Sequence, residues 1–420
     1  MNTLTRTLFE QTINVASELL HFRQPADAVL SAFFRAHRCG PRERAFIAEA
    51  GYALLRRKRS LAAWIGPDAT VKQLVLAALV RHCGVSQRML EAALSKRDAD
   101  WLSELKAKPE PALTLAEQTD LPDWLIERLS ALMPEAELQA LARTLNQPAP
   151  LDLRVNAQKT NRAAVLAQLA EEGLAATACP YAPEGIRLAG KPFLAKHPLF
   201  LDGSIEVQDE GSQLLGHLLA PKRGEMVVDF CAGAGGKTLL LGALMRSTGR
   251  LYALDVSEKR LAKLKPRLAR SGLSNVHPMV IAHENDTHVK RLAGKCDRVL
   301  VDAPCSGLGT LRRNPDLKWR QTPQSVAELA VKQAAILAAA AKLLKPGGRL
   351  VYATCSLLPE ENAQIVDAFL AAHPAYARRR ASDVLAAQGI ALDLPGDDLQ
   401  LLPQVHGTDG FYAAVLERQA

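Results

Sequence analysis

The 420 residues exceed one ordinary domain, and at roughly 100–200 residues per domain they call for two to four. Apolar residues make up 48% and charged residues 23%, close to globular usage, which excludes a disordered, collagenous or coiled-coil chain. The 52 Lys and Arg outnumber the 44 Asp and Glu to give a net charge of +8, which suits a polyanionic partner. The surplus is densest at the start: residues 1–110 carry 17 basic and 11 acidic side chains.

In chain order, apolar residues recur at three and four positions over Leu4–Leu20, Ala26–Phe34 and Ala45–Leu55, which predicts a helical bundle through about residue 120. The basic run Arg56–Arg59 within it reads as a solvated helix face. Two short helices follow, Trp124–Leu132 and Glu135–Leu145, and then Pro148 and Pro150 break the pattern. Leu151–Asn156 alternates as a strand does, and Asn161–Glu172 reads as a helix stopped by Gly173. These form a small α/β unit ending near residue 200.

From Val207 onward, short strands alternate with longer helices. The strands are Met226–Phe230, Arg250–Leu254, Val276–Ile281, Arg298–Val301 and Arg349–Ala353. The helices are Leu239–Arg246, Glu258–Arg270, Pro323–Leu344 and Glu360–His373. That alternation predicts a parallel, doubly wound sheet. Leu399–Leu402 and Phe411–Leu416 read as a closing hairpin.

The seven cysteines show no Cys-x-x-Cys and no Cys/His pairing at zinc spacing, so neither a metal site nor a disulfide framework is expected. No basic-then-apolar leader opens the chain, and no apolar run approaches the ~20 residues that span a membrane. A reduced, cytoplasmic monomer without membrane contact is the expectation.

The run Met226–Thr238 is a strand, a glycine turn and a helix start. A P-loop would need glycine where Cys231 stands, and a dinucleotide fingerprint would need glycine at Thr238. The S-adenosyl-L-methionine loop of Rossmann-like methyltransferases fits better. Asp229 closes the strand before the glycines, and Asp255 closes the next strand, where a carboxylate can accept two hydrogen bonds from the ribose diol.

Two later strands end in Asp302-Ala303-Pro304-Cys305 and Thr354-Cys355-Ser356. Strand carboxyl ends in open α/β sheets face the ligand crevice, so both thiols are expected at one mouth. Thiols there suit methylation at carbon 5 of cytosine. Addition of a thiolate at carbon 6 makes carbon 5 nucleophilic, and the sulfur can later leave. Asp302 is placed to bind nitrogen 3 and the amino group of a base drawn out of its stack. Cys39, Cys83, Cys179 and Cys296 read as core side chains. Arg312, Arg313 and Lys318, following the Pro-Cys turn, read as phosphate contacts, and Trp319 as core.

Six ordered runs resemble the Sun/Fmu family of RNA cytosine-5 methyltransferases: 207–213, 229–238, 255–261, 302–316, 351–362 and 409–412. Pro150–Lys159 is similar to a further family segment, and Arg42–Phe46 through Arg57 resembles its helical domain, itself similar to the antitermination factor NusB. The resemblance implies a multidomain chain. A NusB-like all-α RNA-binding domain would span 1–120, a small α/β linker domain 121–200, and an α/β Rossmann-like methyltransferase domain 201–420. It implies that Cys355 is the nucleophile, that Cys305 assists product release, and that Asp302 meets cytosine and cofactor. Residues 231–237 (Cys231, Ala232, Gly233, Ala234, Gly235, Gly236, Lys237) would cradle S-adenosyl-L-methionine, with Asp255 at its ribose and Asp286 near its adenine. The family loop usually has Ala-Pro where this chain has Gly233-Ala234. The RNA partner implied is 16S ribosomal RNA. A transfer RNA methyltransferase and a non-catalytic RNA-binding ribosome assembly factor are the alternatives.

Overall fold

The computed structural model describes residues 4–66 and 68–420. The chain divides into two compact units, one of residues 1–148 with 310–323, the other of 149–309 with 324–420. The helices of 121–148 therefore group with the helical unit, and so does a segment that lies between two strands of the other unit.

The helical unit is built on Arg6–Leu20, Ala26–Ala36, Pro41–Ile65, Val71–His82 and Lys96–Ala107, followed by Leu115–Thr119, Asp123–Ser130 and Glu135–Leu145. Thr5, Thr70, Ser95 and Thr114 each accept a hydrogen bond from a first-turn amide, so polar side chains just outside the apolar runs set where the helices begin. Leu8, Ile47, Leu54, Leu76 and Leu79 form part of one buried cluster, each contributing about 1.5–3 kcal/mol by leaving water.

The helix Pro41–Ile65 is broken at Arg57 (φ −118°, ψ 22°), and groups from far along the chain satisfy the break. Asp120 Oδ1 accepts from the amides of Arg59 (2.8 Å) and Ser60 (2.9 Å). The freed carbonyls of Leu55 and Arg56 accept from Trp319 Nε1 (2.8 Å) and Lys318 Nζ (2.9 Å). Lys318 also donates to Asn146 Oδ1 at 2.8 Å. These contacts correct two expectations. Lys318 is 1% exposed and Arg312 5%, so neither is a surface phosphate contact. Nor is Arg56–Arg59 a solvated face: Arg59 donates to Asp123 and Leu121 O, Arg57 faces Asp120, Arg56 donates to Arg312 O, and Lys58 lies over Trp319. Trp319, half-buried, packs against the core of the helical unit.

The second unit holds twelve strands among the described residues. The first four are β1 (Leu151–Val155), β2 (Ala176–Ala178), β3 (Gly185–Leu188) and β4 (Ile205–Val207). They pair antiparallel in the order β2-β3-β1-β4. The helix Arg162–Glu171, capped by Asn161, covers this sheet with Val165 and Leu169.

The large sheet contains β5 (Met226–Asp229), β6 (Arg250–Asp255), β7 (Val276–Val280), β8 (Cys296–Asp302), β9 (Leu344–Thr354), β10 (Tyr376–Arg379), β11 (Leu399–Leu401) and β12 (Phe411–Arg418). Its order is β10-β12-β9-β8-β5-β6-β7, with β11 also against β12. Strands β5 to β9 are parallel neighbours, whereas β12 runs antiparallel to β9, so the sheet is mixed. Alternate residues feed two cores: Val227 and Leu300 pack with Leu214 and Leu218 on one face, Val228 and Val299 with Ile336 and Val366 on the other.

Two expected helices differ in detail. The expected Glu258–Arg270 is split into Glu258–Leu261 and Leu264–Ser271, because Pro266 supplies no amide to the carbonyl of Ala262. The expected Pro323–Leu344 stops at Ala341, and Leu344 already belongs to β9. Strand order reverses at β5, which places the crevice at its carboxyl end, beside β6 and β8.

Candidate active site

Strand β5 ends at Asp229 and the glycine loop follows. Gly233 (φ 56°) and Gly235 (φ 80°) adopt left-handed conformations, and a Cβ on Gly235 would lie 2.2 Å from Leu264 Cδ1. The helix Gly236–Leu244 begins there. Asp255, ending β6, accepts from the Gly233 amide (2.7 Å) and the Ser257 amide (2.7 Å), which ties the loop to the second strand. Asp229 accepts from Thr238 Oγ1 at 2.6 Å, while its other oxygen is buried without a partner. Burial pushes the Asp229 carboxyl up to about 7, against the lowering effect of Thr238.

Strands β8 and β9 bring their ends together, with Asp302 opposite Ala353 and the Ala303 amide bonded to Ala353 O at 2.8 Å. The sulfurs of Cys305 and Cys355 stand 3.3 Å apart. The hydrogen bond with Cys355, then burial, then the charges of Cys355, Glu361 and Asp302 drive the Cys305 thiol well above its usual range. Lys237 Nζ lies 2.6 Å from Asp302 Oδ2. Burial works to lower the Lys237 ammonium, but Asp302 beside it and the nearby Cys355 and Asp229 raise it on balance, so it stays charged.

Fully buried Glu361 locks both cysteine turns. One carboxylate oxygen accepts from the Ser306 amide (2.8 Å) and Gln333 Nε2 (3.0 Å), the other from Ser306 Oγ (2.5 Å) and Ser356 Oγ. Gln333 also donates to Pro304 O at 2.9 Å, and Gly309 donates to Cys355 O at 2.8 Å. The motif search did not single out Glu361 or Gln333. Glu361 lies in the resembling run 351–362, but only the folded turn shows its partners.

A cavity of about 380 Å³ is lined by Phe230, Cys231, Asp255, Val256, Asp302 and Cys305 together with Cys355, Ile281 and Glu284. A second, of about 230 Å³, is lined by Asp229, residues 231–234, Gly236 and Lys237, and shares Cys231, Arg260 and Asp302 with the first. Every proposed site residue but two lines one or both. Gly235 turns the loop beneath them. Asp286 is spent inside its own loop: it accepts from the amides of Ala282 (2.9 Å) and His288 (2.8 Å), bonds that hold its carboxyl below the usual range. The acid of that loop that reaches the cavity is Glu284.

The cavities suit the cofactor chemically. The larger combines apolar Phe230, Val256 and Ile281 with the Asp255 and Glu284 carboxyls, and the smaller is lined by Asp229, one of whose oxygens is buried without a partner. Elsewhere, Asp152, Cys179 and Glu210 bring metal-ligating atoms within 4.8 Å of one another. Arg187 grips Asp152 there with two bonds, of 2.7 and 2.9 Å, supplying the positive charge. No helix among the described residues is long and apolar enough to cross a membrane.

Comparisons with known proteins bear on the family and the fold. The 16S rRNA methyltransferase RsmB/F family matches residues 216–417, and the ferredoxin-like domain of RsmF/B-like methyltransferases matches residues 121–193. A probable ribosomal RNA small subunit methyltransferase B of Synechocystis is 40% identical over 73% of this chain and 68% of its own. One from Bacillus subtilis is 32% identical over 84% of this chain and 79% of its own. Among solved structures, PH0851 superposes with a TM-score of 0.81 at 26% identity over 99% of both chains. A methyltransferase homolog from Pyrococcus horikoshii gives 0.61 at 29% identity over 72% of this chain and 97% of that one. With relatives of this identity across two thirds or more of their length, the chain belongs to the 16S rRNA methyltransferase RsmB/F family.

Proposed function

We propose that this chain methylates carbon 5 of a cytosine in 16S ribosomal RNA through a covalent bond between Cys355 and carbon 6 of the base. The observation that carries the reading is the pair of thiols 3.3 Å apart at adjacent strand ends, sharing one cavity with Asp302 and Asp255. S-adenosyl-L-methionine, held by residues 231–237, Asp229, Asp255, Asp302 and Glu284, supplies the methyl group as an electrophile on sulfur.

The order of the two sulfurs is the one the family resemblance implies. The hydrogen bond with Cys355 and burial hold the Cys305 thiol well above its usual range. Cys355 is the sulfur that attacks carbon 6, as a thiolate does. Asp302, fixed by Lys237, meets nitrogen 3 and the amino group as charge builds on the ring. Once carbon 5 is methylated, a base takes its proton, the carbon 5–carbon 6 double bond re-forms and the carbon 6–sulfur bond to Cys355 breaks; the family resemblance gives Cys305, beside the adduct, the part of assisting that release. In this reading the helical unit binds RNA, and the unit of residues 149–309 with 324–420 catalyses.

The test is transfer of tritiated methyl groups to unmodified 16S ribosomal RNA and to unmodified transfer RNA, followed by bisulfite mapping. Label on a 16S cytosine is expected. Label only on transfer RNA would move the substrate, and label on neither would overturn the reading.

A further inference from the structure

The back of the glycine loop is held by side chains that the catalytic reading leaves unused. Two loop carbonyls accept from guanidinium groups: Gly236 O from Arg154 Nη1 at 2.7 Å, and Ala234 O from Arg267 Nη1 at 2.7 Å. Arg154 comes from β1 of the small sheet and is 3% exposed. Its Nη1 also reaches Gln208 Oε1, and Gln208 lines the smaller cavity. Arg267 is held in turn by Glu206 Oε2 (2.9 and 3.2 Å), while the other Glu206 oxygen takes Arg270 (2.5 and 3.0 Å). Glu206 lies on β4 directly opposite Arg154 in the sheet register. Two arginines, one from the small sheet and one from the helix Leu264–Ser271, thus donate to two peptide oxygens of one loop, with Glu206 and Arg270 behind Arg267.

A peptide is planar and, among the described residues, trans. Fixing Gly236 O therefore also fixes the Lys237 amide on the opposite side of the same plane, at the start of the helix. The same holds for Ala234 O and the Gly235 amide, which bonds Ala232 O at 2.8 Å. The positive charge behind Gly236 O polarises its peptide and strengthens the Lys237 amide as a donor toward an anionic group. The loop needs such a device because it lacks internal stiffness. Gly233-Ala234 stands where a proline would restrict the backbone, and a flexible loop would lose entropy each time it closed on a ligand.

We propose that Arg154 is a positioning residue for the cofactor loop, and that Arg267, which itself lines the smaller cavity, holds the same loop from beside it, so that the small four-stranded sheet acts as part of the S-adenosyl-L-methionine site. This rests on the cofactor assignment made above.

The test uses the full-length chain and S-adenosyl-L-homocysteine as the calorimetric probe, with no RNA present. Arg154→Met and Arg267→Met are each expected to weaken its binding roughly tenfold or more, the worth of a charge-assisted hydrogen bond. In steady-state assays the KM for S-adenosyl-L-methionine should rise by a similar factor, with kcat at saturation and the KM for RNA each within about twofold of the parent. Arg267→Lys, which can still donate to Ala234 O, should recover part of the affinity. Parental affinity in either folded variant, or a loss confined to kcat, would overturn the proposal. If Arg154→Met fails to fold, the half-buried Arg267 pair decides alone. A parent chain that binds no S-adenosyl-L-homocysteine would instead refute the cofactor assignment itself.

Discussion

Cys305 and Cys355 stand 3.3 Å apart, and the proposed function makes Cys355 the nucleophile of the pair. Cys355→Ala should therefore abolish methyl transfer, by roughly ten-thousand-fold or more in kcat, as loss of a nucleophile does. A second prediction concerns Asp229. Its carboxyl is pushed up to about 7 by burial, one of its oxygens is unpartnered, and the residue lines the smaller cavity. A cationic ligand there favours the ionised form, so cofactor affinity should rise as pH passes upward through about 7, and binding should release a proton below that pH. Calorimetry in buffers of different ionisation heat checks this, and Asp229→Asn should flatten the profile. At this scale the sequence was informative because Asp255, Asp302 and both cysteines close strands, and a strand end faces the crevice whatever the loops do. Glu284 was not legible. Whether Glu284 or Asp286 enters the cavity depends on the path of an irregular loop, in which Asp286 is spent on two amides of its own turn.

Among the elements, the two catalytic turns are coupled by Glu361, which accepts from Ser306, Ser356 and Gln333. Glu361→Ala would leave these buried donors unsatisfied. It should cost roughly 2–4 kcal/mol in chemical denaturation and lower kcat, whereas Glu361→Gln should cost less. Gly235→Ala meets two obstacles, φ of 80° and a clash with Leu264, and should weaken cofactor binding beyond detection by calorimetry. Strands and helices of the catalytic unit were legible from their two periodicities, even where ends moved by a few residues. The helix Glu210–Leu219 was not among those expected, and two further differences have local causes. Pro266 splits a helix, and the edge strand β10, Tyr376-Ala-Arg-Arg379, is too short and polar to announce itself.

On the scale of the whole molecule, the chain leaves the catalytic unit after Gly309 and returns at Gln324, having lent residues 310–323 to the helical unit. Nothing in the composition of that segment reveals this, because the groups it satisfies lie 256 to 264 residues away. Burial lowers the Lys318 ammonium to about 7, whereas the unfolded side chain titrates near its ordinary 10.5. The unfolded state therefore binds the extra proton between those values, and stability of the helical unit should rise with pH from about 7 to 9, by at most about 1.4 kcal/mol per pH unit. Denaturation of the parent and of Lys318→Met across that range checks it: the variant should lose the slope, along with the bonds to Arg56 O and Asn146.

The central claim is the covalent role of Cys355, and denaturing gels of Cys305→Ala and Cys355→Ala incubated with labelled, unmodified 16S ribosomal RNA and S-adenosyl-L-methionine test it most directly. A protein-linked RNA band with Cys305→Ala and none with Cys355→Ala is the predicted result. A band that appears with Cys355→Ala and not with Cys305→Ala would contradict it and exchange the roles of the two sulfurs.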